Sequence, residues 1–82
     1  MSDRVIAALR KEARWLSKRA DAKPDWMVRE TYYNPRIENA YQCPSCFIRF
    51  DRRSELDSFP TGTRDDGLEC AVCGADFIIA AP

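Results

Sequence analysis

The sequence predicts a single small α+β domain, in which an N-terminal amphipathic helix packs on an antiparallel sheet of three or four strands. Helical periodicity over residues 3–22 predicts the helix. Beyond residue 37, short runs of strand-forming residues separated by turn formers predict the sheet. Four cysteines in two close pairs indicate a metal site within that sheet. The 82 residues suffice for one core and are too few for two.

The N-terminal helix is predicted by an apolar stripe. Its members recur at spacings of three and four residues: Ile6, Leu9, Ala13, Leu16 and Ala20. Val5 lies at the margin of this stripe. Ser2 can cap the helix, Asp3 suits the positive end of its dipole, and Pro24 ends it. The stripe therefore gives the helix one face for packing on the rest of the chain.

Residues 23–36 are predicted to connect the helix to the sheet, with extended pieces at 26–28 and 31–33. The connection carries three aromatic residues: Trp26, Tyr32 and Tyr33. Their aromatic area suits covering the core of a short chain. The alternative is stacking on the bases of a nucleic acid.

All four cysteines of the chain lie in two C-x2-C pairs, Cys43 with Cys46 and Cys70 with Cys73. Two such pairs can close a tetrahedral thiolate site around one structural zinc ion. Iron uses the same ligand set and stays open as an alternative. Two disulfides, or a thiol redox pair, would use the same residues without a metal. The charged start of the chain has no apolar signal segment, so we expect a cytoplasmic protein in which thiolates persist.

Residues 37–79 resemble the zinc ribbon family, with its rubredoxin-type knuckles. Gly74 directly follows Cys73, where the family favours a glycine for the turn, but Phe47 stands at the matching position of the first pair. The resemblance implies one structural zinc per chain, bound by the four cysteines. It also implies a hairpin around each pair, with residues 40–42 and 47–50 flanking the first. Between the hairpins, residues 54–59 allow a helical turn.

Charge is distributed unevenly along the chain, although 13 basic and 13 acidic residues cancel. Residues 1–23 hold seven basic and three acidic side chains, a net charge of +4, so the remainder carries −4. Two basic groups are candidates for contacting nucleic acid. They are the helix face Arg10, Arg14, Lys18 and Arg19, and the cluster Arg49, Arg52 and Arg53. The alternative is that these charges are solvated or form local ion pairs.

Several kinds of catalytic site are absent from the sequence. There is no histidine, and a closed shell of four cysteines leaves no coordination position for water. The three glycines form no phosphate-binding loop, and no stretch is long and apolar enough to span a membrane. We therefore expect neither an enzyme nor a small-molecule or membrane partner.

The function predicted from the sequence is a small non-catalytic protein-interaction or regulatory module that binds a protein partner. The alternative is a transcription- or translation-associated module that binds nucleic acid through the basic face of helix 3–22. A thiol redox protein is the third interpretation. The zero net charge favours the first, because a dedicated nucleic-acid-binding domain is usually basic.

Overall fold

The computed structural model describes residues 3–19 and 30–82. Two helices are present in these ranges, α1 (Asp3–Ser17) and α2 (Pro44–Phe50), together with a 3-10 turn (Glu30–Tyr32). The strands are β1 (Arg36–Ile37), β2 (Ala40–Gln42), β3 (Glu55–Phe59), β4 (Asp66–Glu69) and β5 (Asp76–Ile79). The predicted α+β fold, with its N-terminal helix, is confirmed. None of the helices in the described ranges is long and apolar enough to cross a membrane.

The sheet has five antiparallel strands in the order β1-β2-β3-β4-β5, rather than the three or four predicted. Each strand pairs with its neighbours along the chain, as in Tyr41 opposite Leu56 and Leu68 opposite Phe77. β3 joins the two halves because it pairs with both β2 and β4. The helical turn considered for residues 54–59 is therefore wrong. β1 and β5 are the edges of this meander.

Helix α1 ends earlier than predicted. The chain leaves the helix after Ser17, whose hydroxyl donates a hydrogen bond to the Arg14 carbonyl at 2.9 Å. Residues 20–22 of the predicted helix, which include Ala20 of the apolar stripe, lie outside the described residues. The predicted cap, Ser2, also lies outside them. Val5 is buried and Ile6 is partly exposed, so the buried stripe is centred nearer Val5 than the sequence suggested.

Helix α2 replaces the strand expected after the first cysteine pair, so that prediction is wrong. Cys43 caps the helix by accepting the Cys46 N–H, and Pro44 occupies its first turn, where no N–H is needed. Asp51 ends it in the left-handed conformation, at φ 52°. Ile48 is fully buried in the core. Capping and burial together explain why these residues are helical.

The core lies between α1, α2 and the sheet. Leu9, Ile48, Leu68 and Ile79 belong to one cluster of buried side chains drawn from all three. α1 packs mainly against α2. At its first turn, Arg4 donates to the carbonyl of Ala80 and to a carboxylate on β4. These contacts connect the start of α1 to the β4–β5 end of the sheet.

Of the described residues before β1, Glu30–Tyr32 form a 3-10 turn rather than an extended piece. The extended piece predicted at residues 31–33 is therefore wrong, because the 3-10 turn includes residues 31 and 32. The extended piece predicted at residues 26–28 lies outside the described residues. Tyr33 is buried and donates a hydrogen bond to the Gln42 carbonyl at 2.5 Å. Its ring lies 5.6 Å from that of Phe47, in a tilted arrangement. Tyr33 therefore covers the core, whereas Tyr32 is 73 % exposed.

Candidate metal centre

Two different local structures bring the four cysteines together. Cys43 and Cys46 stand at the N-terminus of α2, whereas Cys70 and Cys73 stand in the turn between β4 and β5. The four sulfur atoms all lie within 4.8 Å of one another. The cluster therefore joins the helical part of the chain to the β4–β5 hairpin.

The distances between the sulfur atoms fit a tetrahedral metal site. Cys43 Sγ lies 3.7 Å from Cys73 Sγ, and Cys46 Sγ lies 3.5 Å from Cys70 Sγ. A tetrahedron with metal–sulfur bonds of about 2.3 Å has edges of about 3.8 Å. A disulfide would need about 2.05 Å, and all four cysteines are free thiols. The cluster can thus hold one metal ion without rearranging the backbone.

The second pair lies in a tight turn that its sequence favours. Gly74 adopts φ 77°, a conformation that residues with a side chain rarely take. Its N–H donates to the Cys70 carbonyl at 2.9 Å, and the Cys70 N–H donates to the Ala75 carbonyl at 2.9 Å. This turn places both sulfur atoms on the side that faces α2.

Most of the cluster is shielded from solvent. Cys43, Cys46 and Cys70 are buried, and Cys73 is partly exposed. The Cys46 N–H donates to Cys43 Sγ at 3.4 Å, and the Ser54 hydroxyl lies 3.3 Å from Cys70 Sγ. Hydrogen bonds of this kind stabilise thiolates and orient them toward a metal.

The surroundings of the thiols shift their pKa values in opposite directions in the metal-free protein. Burial raises the pKa of Cys43 and of Cys46 above the ordinary value for a thiol. Burial also acts on Cys70, but hydrogen bonds from Ser54 and from the N–H groups of Cys73 and Val72 outweigh it and lower the pKa to about 6. Of these three thiols, Cys70 is therefore the one whose surroundings favour the thiolate form that binds a cation.

The basic residues proposed for nucleic acid do not gather into one patch. Arg10 and Arg14 are exposed on α1, and Lys18 is exposed just beyond its end. Arg14 Nε lies 4.0 Å from a Glu30 carboxylate oxygen. Arg19 lies over the ring of Trp15, 4.6 Å from its centroid.

The second basic cluster, Arg49, Arg52 and Arg53, is divided between two surfaces. Arg49 lines a groove together with Arg19, whereas Arg52 and Arg53 line a separate depression with Tyr32. Ser54, at the metal centre, was not predicted to have a role. Ser54 lies in a polar spacer 16 residues before Cys70, and nothing in the sequence indicates that the two side chains are in contact.

The comparisons with known proteins found no match: no family model, no curated protein and no solved structure is detectably similar to this chain. Fold and site together define its class, a small α+β protein with a four-cysteine cluster that can hold a metal ion.

Proposed function

We propose that this chain is a non-catalytic protein-interaction module whose fold is stabilised by one structural zinc ion. The observation that carries the proposal is the buried cluster of Cys43, Cys46, Cys70 and Cys73, which joins α2 to the β4–β5 hairpin. Four thiolates complete a tetrahedral shell, and such closed shells are typical of structural rather than catalytic zinc. With four cysteine ligands, the metal would have no coordination position left for a reacting water.

Zinc is favoured over iron because it is the commoner occupant of structural four-cysteine sites, and the small core needs a metal to stabilise it. A core of this size supplies only about 3–5 kcal/mol, whereas structural zinc contributes about 10–16 kcal/mol in zinc-finger peptides. The resemblance to zinc ribbons is supported by the β4–turn–β5 hairpin, with its glycine after the second ligand. The first pair, which lies on a helix, departs from the ribbon pattern.

Native mass spectrometry of the freshly purified protein, without added metal, tests the metal part of the proposal. We expect a mass excess of one zinc per chain that is lost in acid. Iron would instead give a visible thiolate-to-iron absorption band. A metal-free chain lighter by four hydrogens would mean two disulfides and would overturn the proposal.

The interaction part of the proposal is supported by large apolar side chains on the surface. Trp15 and Ile78 are 55 % and 58 % exposed, and both line the same groove. Grouped apolar side chains on a small protein mark contact surfaces more often than isolated ones do. We expect zinc-loaded protein to retain a protein partner at about 200 mM salt, where charges more than about 8 Å apart are largely screened. Chelation should release that partner.

Nucleic-acid binding is the second candidate, and one observation favours it. Among the large hydrophobic residues of the described ranges, Tyr32 is the most exposed, and it lines a depression with Arg52 and Arg53. An exposed ring beside two arginines suits base stacking next to phosphate contacts. Four phosphate contacts would reduce affinity about a hundredfold between 50 and 200 mM salt. Anisotropy of a labelled single-stranded oligonucleotide at these concentrations separates the two candidates, because a partner held by apolar contacts shows little such dependence.

A further inference from the structure

A groove of about 680 Å³ runs between helix α1 and strand β5. On the helix side it is lined by Lys11 and Trp15, which lie four residues apart and so share one face of α1, and by Arg19 just beyond the end of the helix. On the strand side it is lined by every residue from 75 to 80. The end of α2 contributes Arg49.

The strand wall of this groove is the edge of β5, not one of its faces. Successive side chains of a strand point to opposite faces, so a groove on one face would contact only alternate residues. All four residues of β5 line this groove, together with one residue on either side, which favours the strand edge. Arg4 of α1 also donates to the Ala80 carbonyl, just beyond β5, so α1 lies along this edge. β5 is also the last strand in the sheet order, and no described strand pairs with its outer side.

The pairing of β4 with β5 shows which backbone groups are available at that edge. The Cys70 N–H bonds to the Ala75 carbonyl, and hydrogen-bonded positions alternate along an antiparallel pair. Phe77 and Ile79 therefore direct their N–H and C=O groups toward β4. Asp76 and Ile78 direct theirs outward, where they can pair with an added strand.

The groove also offers apolar area and a modest excess of positive charge. Trp15 is 55 % exposed, and Arg19 lies over its ring, so the pair forms a flat platform beside the strand edge. Three cationic side chains line the groove against two acidic ones, Glu12 and Asp76. An acidic ligand therefore complements the net positive charge of the groove. The groove differs in this from the chain beyond residue 23, whose net charge is negative.

We propose that the edge of β5 binds an extended, acidic segment of a partner protein as a sixth strand, with one of its apolar side chains packed on Trp15. This inference rests on the proposed protein-interaction function and names its site and partner class. Backbone pairing with an exposed edge supplies affinity in this mode of recognition, and the side-chain contacts supply specificity. At about 3.3 Å per residue, four or five residues of the segment would pair along β5.

A second copy of the chain fits the groove less well than an acidic peptide. Two-fold pairing brings identical surfaces together, so it would place Lys11, Arg19 and Arg49 of each copy near those of the other. Like charges held close together oppose such pairing. The charge of the groove thus favours a partner with a different sequence.

The test uses zinc-loaded full-length protein and a fluorescein-labelled peptide in which valine and glutamate alternate. Fluorescence anisotropy should show binding that weakens about tenfold or more, equivalent to 1.4 kcal/mol, in Ile78→Pro and in Trp15→Ala. Proline at 78 removes an outward N–H that β4 does not use, and edge strands tolerate proline. Phe50→Ala is the matched control, because Phe50 is as exposed as Trp15, at 55 %, and its ring lies outside the groove.

Two altered peptides test the same contacts without changing the protein. Methylation of alternate backbone nitrogens should abolish binding in the register that pairs them with β5, and lysine in place of glutamate should weaken it. These peptides keep the proposal falsifiable if Ile78→Pro fails to fold, which its circular dichroism and zinc content would reveal. Equal binding of the methylated and unmethylated peptides in both registers, or no binding at all, would overturn the proposal.

Failure of this proposal is distinguishable from failure of the proposed function. If a protein partner binds wild type, Ile78→Pro and Trp15→Ala equally, the interaction function stands and the β5 edge is not its site. If sedimentation shows a wild-type dimer that Ile78→Pro dissociates, the groove is occupied by a second copy and the acidic peptide is wrong.

Discussion

The hydroxyl of Ser54 lies 3.3 Å from the sulfur of Cys70. Ser54 precedes β3, and its backbone carbonyl accepts the N–H of Cys43 at 2.9 Å. One residue therefore contacts both halves of the metal centre, the first pair through its backbone and the second through its side chain. Burial alone would raise the pKa of Cys70, and the Ser54 hydrogen bond is the largest contribution that opposes it.

Ser54→Ala should lower zinc affinity by about 10- to 100-fold, because the Cys70 thiolate loses the hydroxyl that stabilises and orients it. Competition with a chromophoric chelator measures the affinity. Ser54→Thr keeps a hydroxyl and should recover most of it. Ser58→Ala, which removes an exposed hydroxyl on β3, is the control. Unchanged affinity in Ser54→Ala would show that the hydrogen bond does not support the metal.

Cys46→Ala should abolish stable metal binding and unfold most of the β4–β5 region. It removes a buried ligand from α2, and three remaining thiolates no longer connect helix and hairpin by a closed shell. Zinc content and circular dichroism measure both effects. Val72→Ala changes a side chain that lies between two ligands but is 53 % exposed, so it should keep one zinc per chain. Wild-type zinc content and affinity in Cys46→Ala would contradict the structural role.

The metal-free protein should lose stability as the pH rises above 9. Cys43 and Cys46 have folded pKa values above the ordinary 9.0, so their contribution is complete below pH 9 and is lost as the pH rises through the raised values. Cys70, at about 6, contributes in the opposite sense: its stabilisation is present above pH 9 and declines as the pH falls through 6. These windows do not overlap, so the stability of the metal-free protein should rise between about pH 6 and pH 9 and fall above pH 9.

Zinc-loaded protein should gain stability throughout as the pH rises, because metal binding needs thiolates and protons compete with zinc as the pH falls. Thermal unfolding of metal-free and zinc-loaded protein between about pH 5 and pH 10 measures both trends. The difference between their melting temperatures should widen as the pH rises. A constant difference across this range would show that proton release is not coupled to metal binding.

Gly67→Ala should destabilise the sheet where β3 and β4 pair. A Cβ at residue 67 would lie 2.7 Å from the carbonyl oxygen of Phe59, its partner on β3, and 2.8 Å from Thr61 Cγ2. Relieving that contact requires a backbone shift, which typically costs about 1–3 kcal/mol. Urea unfolding of zinc-loaded protein measures the loss. Glu69→Ala, at an exposed position of the same strand, should have little effect. An unchanged urea midpoint in Gly67→Ala would contradict the close approach of the two strands.

The elements that were predicted well are those whose signal is local. The apolar spacing of α1 repeats over four turns, so its existence and buried side follow from the sequence. The exact centre of its apolar stripe does not follow from the sequence. Val5 and Ile6 are adjacent apolar residues, and only the position of the neighbouring elements decides that Val5 is the buried one.

Two short segments were the least predictable part of the fold. Residues 47–50 and 55–59 each fit a strand or a helical turn, and in both places the conformation found is the one that was not expected. Residues 47–50 became helical because Cys43 caps the helix and Ile48 fills the core. Residues 55–59 became a strand because β2 and β4 both offer hydrogen-bond partners. Neither set of partners is adjacent in the sequence.

The sequence by itself determined the ligand set and the turn of the second pair. Four thiols at C-x2-C spacing restrict the coordination chemistry, and Gly74 permits the positive φ that the turn uses. Only the tertiary structure decided that the first pair lies on a helix and that the edge of β5 faces α1 across an open groove. Local chemistry sets ligand spacing and turn geometry, whereas burial between distant segments selects helix or strand and shapes the surfaces between them.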